Sequence, residues 1–227
     1  MCGRFSLAID IKEIKERFHI ADTVEWEPRY NIAPTQPCLT IAEERKAPHL
    51  MLMNWGLIPH WSKDKQVGFQ LINARVETVK TKPSFKESFL HRRCLIPADG
   101  FYEWKKIAGE KIPYRITLKT EEPFAFAGLW DEWRDEKGVT VKTFTILTTQ
   151  ANELLEPLHD RMPIILRKED EALWLNAKLD DLTKLDPLFE PFPKESLKLT
   201  RVSSVVNSWK NDTKECIKPR EEDKNLF

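Results

Sequence analysis

The chain has 227 residues, and its 36 lysines and arginines are balanced by 36 aspartates and glutamates, so the formal net charge is zero. A hydrophobic content of 41% with eight tryptophans is enough for a folded core and excludes an intrinsically disordered chain. Zero net charge excludes a polybasic protein that coats nucleic acid, although a small footprint needs only a few well-placed arginines.

The distribution of apolar and charged residues along the chain argues against a membrane-spanning or secreted protein. No apolar run approaches the ~18 residues that a membrane-spanning helix needs, and the start of the chain is too charged for a secretory signal. We therefore expect a soluble, cytoplasmic protein with no membrane partner. The four cysteines and five histidines are scattered without metal-ligand spacing, so the sequence predicts no metal site and no cofactor.

The predicted elements begin with a short helix that Asp10 caps and that ends near Ile20. The proline-rich segment 29–37 is predicted to be extended or turning, because proline disfavours helix in the residue before it. The predicted strands are 38–43, 49–58, 71–77, 93–97, 99–105, 112–119, 124–130, 139–149, 162–166 and 197–206. The predicted helices are 83–91, 151–156, 168–176 and 179–186, and the predicted hairpin loops are 107–110 and 135–138.

This order of elements predicts an α+β fold built around coiled antiparallel sheets. The regular strand–helix–strand alternation of a doubly wound sheet is absent. We find no internal repeat and no Gly/Ser linker, so the length fits a single domain. The charged residues 220–227 are predicted to be a disordered tail.

Cys2 is the first candidate for chemistry. Methionine before a small residue is normally removed in the cytosol, so we expect a mature chain that begins with Cys2 and carries an amine and a thiol on one residue. The thiol could attack an acyl carbon with the amine as base, or the amine could condense with an aldehyde and the thiol close a thiazolidine ring. The residue alone leaves both reactions open, together with a cysteine that has no role.

The predicted strand 71–77 carries Asn73 and Arg75 on one face. An amide at this position could hold an amine or a sugar oxygen, and a guanidinium could bind a phosphate through two hydrogen bonds. An ordinary half-exposed strand explains the pattern equally well.

Glu103 is a second candidate, because it is a carboxylate among aromatic residues. In a strand it shares a face with Phe101 and is flanked by Tyr102 and Trp104. Apolar surroundings raise a carboxyl pKa toward neutrality, as general acid–base catalysis at pH 7 requires. A surface glutamate with its aromatic neighbours turned inward is the alternative.

Two further candidates are His159 and Trp61. His159 lies two residues before Arg161, which repeats the spacing of a small polar group and an arginine in 71–77. Such pairs suit a reaction on the sugar of a phosphodiester strand, although a lone histidine is more often structural. Trp61 is the tryptophan that we expect to be exposed and able to stack on unpaired bases.

Six motifs, taken in order, resemble the SOS-response-associated peptidase (SRAP) family, which contains the abasic-site processing proteins. They are Met1-Cys-Gly-Arg-Phe5, Arg29-Tyr-Asn-Ile-Ala-Pro34, Trp55-Gly-Leu-Ile-Pro59, Ile72-Asn-Ala-Arg-Val-Glu-Thr78, Ala98-Asp-Gly-Phe-Tyr-Glu-Trp104 and His159-Asp-Arg-Met-Pro163. Val202-Ser-Ser-Val-Val-Asn207 is similar to the closing motif of the family. The resemblance implies a single SRAP domain over residues 1–219, with a barrel-like core and short peripheral helices.

The resemblance also implies a function. Proteins of this family recognise abasic sites in single-stranded DNA and cross-link themselves to the lesion, so the implied partner is such DNA, met at the nucleoid. By similarity, Cys2 forms the thiazolidine, Asn73 positions its amine and the sugar, Glu103 transfers protons, and His159 assists the glutamate. The implied phosphate contacts are Arg4, Arg75 and Arg161.

Two other functions stay open at this point. Class II glutamine amidotransferases and related hydrolases also begin Met-Cys-Gly, but the Asn-Gly of their oxyanion hole occurs nowhere in this chain. A single-strand binding module with an incidental Cys2 is the third reading, which zero net charge weakens. Only Met1 precedes Cys2, so self-proteolysis is not required, and we expect no protease activity on other proteins. A monomer is expected.

Overall fold

The computed structural model of the protein describes residues 2–22, 24–44 and 47–220. Its strands are β1 (Phe5–Leu7), β2 (Arg29–Ile32), β3 (Pro37–Glu44), β4 (Ala47–Trp55), β5 (Asn73–Arg75), β6 (Arg93–Ala98), β7 (Gly100–Ile107), β8 (Glu110–Leu118), β9 (Phe124–Arg134), β10 (Thr140–Gln150), β11 (Arg161–Pro163), β12 (Ile165–Leu166) and β13 (Leu197–Arg201). Its α-helices are α1 (Ile11–Phe18), α2 (Val76–Val79), α3 (Pro83–His91) and α4 (Lys168–Leu175). None of the helices in these ranges is long and apolar enough to cross a membrane.

A closed barrel forms the centre of the fold. Strands β10, β4, β3, β6 and β9 are hydrogen-bonded in that order, and β9 pairs again with β10, which closes the ring. The β10–β4 pairing is parallel and the others are antiparallel, so the barrel is mixed. Closure leaves these strands without a free edge over the paired region.

A second, antiparallel sheet with the strand order β13-β8-β7-β1-β2 covers the barrel. Phe5 of β1 and Phe101 of β7 are fully buried, and their rings meet that of Phe126 edge-on at centroid distances of 5.8 and 5.9 Å. Phe5 also meets Trp55 of the barrel at 5.2 Å. Burial of these large rings fixes the second sheet on the barrel.

The predicted α+β class with a barrel-like core and short peripheral helices is confirmed, with two parallel pairings, β10–β4 and β10–β5, added to the antiparallel ones. The helix after Asp10 is confirmed as well. The Asp10 carboxylate accepts the N–H groups of Lys12 and Glu13 at 2.8 and 3.0 Å, and His19 ends the helix with a φ of 54°.

The prediction of a strand over 71–77 is wrong at its end. β5 pairs with β10 at only three positions and stops at Arg75, and the chain then turns into α2. Helical spacing buries Val79 completely and leaves Glu77 exposed at the start of α2.

Three other predicted strands are shorter than expected. The strand 49–58 stops where Gly56 turns the chain with a φ of 127°. The strand 162–166 is divided between β11 and β12. The strand 197–206 stops with β13, because Ser203 then caps a 3₁₀ turn by accepting a backbone N–H group.

Two predicted helices are wrong. Residues 151–156 form successive turns, because the Asn152 side chain accepts two following N–H groups at 3.1 Å and Pro157 has no N–H to continue a helix. Most of the predicted helix 179–186 lies in a 3₁₀ turn that contains Pro187. The predicted tail falls largely on residues outside the described ranges.

Candidate functional site

A cleft of about 700 Å³ lies at an open side of β7. β1 pairs with β7 at Gly100 and Phe101, and the Tyr102 N–H still donates to the Arg4 carbonyl oxygen at 3.0 Å. From Glu103 onward, β7 has β8 on one side and no paired strand of the described chain on the other. Side chains from both faces of β7 can therefore reach the cleft. Its lining residues are Arg4, Glu103, Trp104, Lys106, Lys111, Pro157, Leu158, His159 and Asn207.

Cys2 lies just before β1, and its side chain is fully buried. Its Sγ donates a weak hydrogen bond to the carbonyl oxygen of Arg4 at 3.9 Å. Burial, followed by the charge of Glu103, raises the pKa of the Cys2 thiol well above its usual range. The thiol is therefore neutral in this arrangement. The Tyr102 N–H donates to the Arg4 carbonyl oxygen at 3.0 Å, so the segment between Cys2 and β1 lies alongside β7 just before Glu103.

Asn73 connects β5 to Cys2. Its Nδ2 donates to the carbonyl oxygen of Cys2 at 2.8 Å. Its Oδ1 is buried and accepts no hydrogen bond from the residues that the structure describes. A buried acceptor without a donor costs free energy, so this amide oxygen offers a place for an incoming N–H or O–H group next to Cys2.

Glu103 extends from β7 on the same face as the buried Phe101, whereas Tyr102 and Trp104 face the opposite way with their rings 6.5 Å apart. The glutamate is only 6% exposed. Burial raises the pKa of its carboxyl from 4.5 to about 7. A raised pKa was predicted from the aromatic flanks, and the direction is confirmed.

His159 stands in the turn before β11. Its Nδ1 accepts the backbone N–H of Arg161 at 3.0 Å, so in the neutral imidazole the proton is on Nε2. The Asp160 carboxylate also lies 2.7 Å from Nδ1, but it is largely exposed, and the backbone hydrogen bond decides the tautomer. Burial lowers the pKa of His159 below its usual value of 6.5, so the ring is neutral at pH 7.

The three arginines assigned to phosphates differ in their surroundings. Arg161 is buried and binds Glu77 through both terminal nitrogens at 2.6 and 3.0 Å, in addition to the Thr148 carbonyl oxygen. Its guanidinium is thus held within the protein. Arg75 is exposed at the end of β5, where a ligand could reach it.

Arg4 does line the cleft, but it also has partners within the protein. Its Nη1 donates to Asn31 Oδ1 at 2.8 Å and to the Val206 carbonyl oxygen at 3.0 Å. The guanidinium lies 5.8 Å from the ring centroid of Trp104. Arg4 therefore fixes one wall of the cleft.

Trp61 is 56% exposed, as predicted, but it is not among the residues that line the cleft. The tryptophan that does so is Trp104, whose Nε1 donates to Asn207 Oδ1 at 2.7 Å. In the sequence, Trp104 is recognisable only as an aromatic neighbour of Glu103. Asn207 is the last residue of the closing motif, but nothing in the sequence indicates that it accepts a hydrogen bond from Trp104.

Among residues 2–22, 24–44 and 47–220, no group of three His, Cys, Asp or Glu side chains could hold a metal ion. The candidate groups for chemistry are thus a thiol, an amide, a carboxyl and an imidazole. They come from four separate segments of the chain. The thiol lies before β1, the amide is in β5, the carboxyl is in β7, and the imidazole is in the turn before β11. Fold and site together define a class of barrel protein with a cysteine at the start of the chain as its candidate nucleophile.

The chain belongs to the SOS response associated peptidase (SRAP) family, whose sequence profile matches residues 1–209. It is 46% identical to the abasic site processing protein YoqW of Bacillus subtilis (strain 168), over 96% of this chain and 99% of that protein. It is 31% identical to the abasic site processing protein HMCES of Gallus gallus, over 97% of this chain and 78% of that protein. A crystal structure of a protein from Bacteroides thetaiotaomicron superposes with a TM-score of 0.89 and 27% identity, and the match covers 97% of this chain and 100% of that one.

Proposed function

We propose that the protein processes abasic sites in DNA by capturing them covalently through Cys2. Membership of a family with abasic site processing proteins supports the lesion as the target. The covalent step is supported by one arrangement: Glu103 and His159 line a cleft together with Arg4, whose carbonyl oxygen accepts the hydrogen bond of the Cys2 thiol. Asn73 in turn holds the Cys2 carbonyl oxygen.

The reaction starts once Met1 is removed and Cys2 presents a free amine. The amine adds to the C1′ aldehyde of the ring-opened deoxyribose, and the carbinolamine loses water to give a Schiff base. The thiol then adds to the same carbon and closes the thiazolidine. One C–N and one C–S bond form, the carbonyl oxygen leaves as water, and the thiol proton passes to the nitrogen.

Each neighbouring residue has a task in this sequence. Asn73 holds the Cys2 carbonyl oxygen, and its unused Oδ1 accepts a hydrogen bond from the Cys2 amine or the sugar hydroxyl. Glu103 titrates near pH 7, so it can donate a proton to the leaving water and accept one from the amine. Neutral His159 can donate from Nε2 to an oxygen of the opened sugar.

We propose single-stranded DNA as the form that is captured. Cys2 is buried beside the cleft, and the aldehyde has to enter a confined space between β7 and the turn before β11. A nucleotide without a stacked and paired partner strand can bend into such a space at lower cost than one within a duplex.

The test is intact-mass spectrometry after the protein is mixed with a single-stranded oligonucleotide that holds one abasic site. We expect an adduct with the mass of protein plus oligonucleotide minus one water. Cys2→Ser removes the thiol and should abolish the heat-stable adduct. Cys38→Ser is the matched control, because Cys38 is equally buried but lies in β3.

Three outcomes would contradict the proposal: no adduct with the wild type, a stable adduct with Cys2→Ser, or full adduct formation by a protein that retains Met1. Release of ammonia from glutamine without any DNA adduct would instead support the amidotransferase reading. Equal capture of abasic sites in duplex and single strands would overturn the strand preference. Gel filtration of the adduct should show one protein per oligonucleotide.

A further inference from the structure

Two lysines that the proposed chemistry does not use line the cleft. Lys106 of β7 and Lys111 of β8 are both exposed and lie directly opposite each other in the antiparallel register. Directly opposite residues have Cα atoms about 4.5–5.5 Å apart, and like charges in such a pair repel each other. The hairpin thus carries an unfavourable pair where it borders the cleft.

A tight turn fixes this arrangement. Ala108 and Gly109 connect the strands with φ angles of 48° and 88°, the two left-handed conformations that a type I′ turn requires. The closing pair is Ile107 and Glu110, so the lysine pair is one position further from the tip. Glu110 is the neighbour of Lys111 in sequence and therefore points to the opposite face of the hairpin.

Neither lysine has an ion-pair or hydrogen-bond partner among the residues that the structure describes. The arginines nearby differ in this respect, since Arg161 binds Glu77 and Arg4 binds Asn31. The two ammonium groups are therefore the free cations of the cleft wall, and an anion between them would turn their repulsion into attraction.

We propose that Lys106 and Lys111 together bind a backbone phosphodiester of the DNA strand beside the abasic site. This inference rests on the proposed function, since the strand enters the cleft only if the lesion is captured there. Lysine binds phosphate as a mobile point charge and reads no base, so the contact is independent of sequence and serves to align the strand.

The first measurement is the salt dependence of reversible binding to a single strand with a tetrahydrofuran abasic analogue, which cannot react with Cys2. For single strands, log K falls with log salt by about 0.7 per neutralised phosphate, and the two lysines share one phosphodiester, so the Lys106→Ala/Lys111→Ala variant should lose about 0.7 from the slope. Lys106→Arg/Lys111→Arg should keep the wild-type slope. Lys137→Ala, at the tip of the β9–β10 hairpin, is the matched control and should leave the slope unchanged.

The second measurement locates the phosphate. A set of oligonucleotides, each with one neutral methylphosphonate at a different step from the analogue, should show weaker wild-type binding at one or two steps. In the double alanine variant that penalty should disappear while penalties at other steps remain. An unchanged slope together with an unchanged methylphosphonate profile would overturn the inference.

The two proposals can fail separately. The double alanine variant should still cross-link a reactive abasic strand fully when the protein is saturating, because neither lysine takes part in bond formation. Absence of cross-linking by the wild type would refute the capture chemistry, whereas the slope and the methylphosphonate profile would still report the lysine contact. Cooperative thermal unfolding of the double variant at or slightly above the wild-type temperature would confirm that it is folded, since the substitutions remove a repulsion.

Discussion

Glu103 illustrates how one residue can combine burial with function. It is 6% exposed, and burial raises the pKa of its carboxyl to about 7. Both the opening of the sugar ring and the loss of water from the carbinolamine need proton transfer. A carboxyl that is half protonated near neutral pH can act in both directions, which an exposed glutamate cannot do.

Replacement of Glu103 by glutamine should therefore slow cross-linking without weakening DNA binding. Glutamine keeps the shape and hydrogen-bonding reach of glutamate but cannot relay a proton. We expect a rate lower by a factor on the order of 10²–10⁴, the range usual for general acid–base catalysis. The measurement is a single-turnover time course with abasic single-stranded DNA at several pH values.

His159→Ala provides the companion measurement. Its effect should be smaller, and the double variant should lose less than the product of the two single effects, because the two groups would act as a unit. A Glu103→Gln protein that cross-links at the wild-type rate between pH 6 and 8 would show that the glutamate is structural.

The same carboxyl should make stability depend on pH. Its folded pKa of about 7 lies above the usual 4.5, so the folded protein binds the proton more tightly than the unfolded chain. The contribution of Glu103 to the unfolding free energy is therefore fully present below about pH 4.5. It is lost as pH rises through 7, and for this pKa shift the loss is on the order of 3 kcal/mol. Glu103→Gln removes the titration. Denaturant unfolding should show a stability gain of the variant over wild type that grows from pH 5 to pH 8, and a constant difference would contradict the assignment.

At the scale of single residues, motifs in the sequence propose candidate groups but do not indicate their partners. Cys2, Asn73, Glu103 and His159 stand in motifs, and local alternation correctly predicted the raised pKa of Glu103. Arg161 differs, because its partner Glu77 lies in α2 and only the fold brings them together. Contacts of this kind have no local signal in one sequence.

At the scale of elements, the bond between Arg161 and Glu77 joins β11 to α2. The Arg161 side chain is 9% exposed and that of Glu77 is 48% exposed, so loss of the carboxylate leaves a largely buried guanidinium with one partner fewer. Glu77→Gln should lower the unfolding free energy by about 1–2 kcal/mol at pH 7.

The pH dependence of this effect has the opposite sign to that of Glu103. Hydrogen bonding to Arg161 lowers the pKa of Glu77, so its contribution is present above the ordinary pKa of 4.5 and is lost as pH falls below it. The gap between wild type and Glu77→Gln should thus be seen at pH 7 and fade below pH 4. Glu122→Gln, which removes an exposed ion pair with Lys168, is the control and should change stability little. A Glu77 effect no larger than that of the control would refute the anchoring role.

Elements with a strong local pattern were predictable, and those that depend on distant pairing were not. The Asp10 cap correctly predicts helix α1, and the alternation of apolar and polar residues correctly predicts strand β7. The turns at 151–156 have helical composition, but the Asn152 side chain competes for backbone N–H groups. The parallel pairing of β10 with β4 and β5 joins residues that are far apart in sequence. No short stretch of the sequence therefore indicates that the barrel closes.

At the scale of the whole molecule, the barrel holds the site together although it contributes few of the site's side chains. β10 is the common support, because its first half pairs with β9 and β4 and its second half with β5 and β11. Asn73 and the turn that carries His159 are thus attached to opposite edges of one strand. Such a layout favours a single domain over residues 1–219 that unfolds in one cooperative transition.

Gly128 in β9 allows this cooperativity to be tested away from the cleft. It is paired with Cys94 on one side and Ile146 on the other, and a Cβ there would overlap Ile96 Cδ1 and lie 3.0 Å from the Thr145 carbonyl oxygen. Gly128→Ala should therefore cost about 1–3 kcal/mol through overpacking, which lowers Tm by roughly 2–4 °C per kcal/mol in a domain of this size. Ile96→Val, which removes Cδ1, should restore part of the loss in the double variant.

If the domain is one cooperative unit, tryptophan fluorescence and cross-linking competence should be lost at the same lowered temperature, while the cross-linking rate at 25 °C stays unchanged. Two separate transitions, with cross-linking lost at the wild-type temperature, would show that the barrel and the site unfold independently.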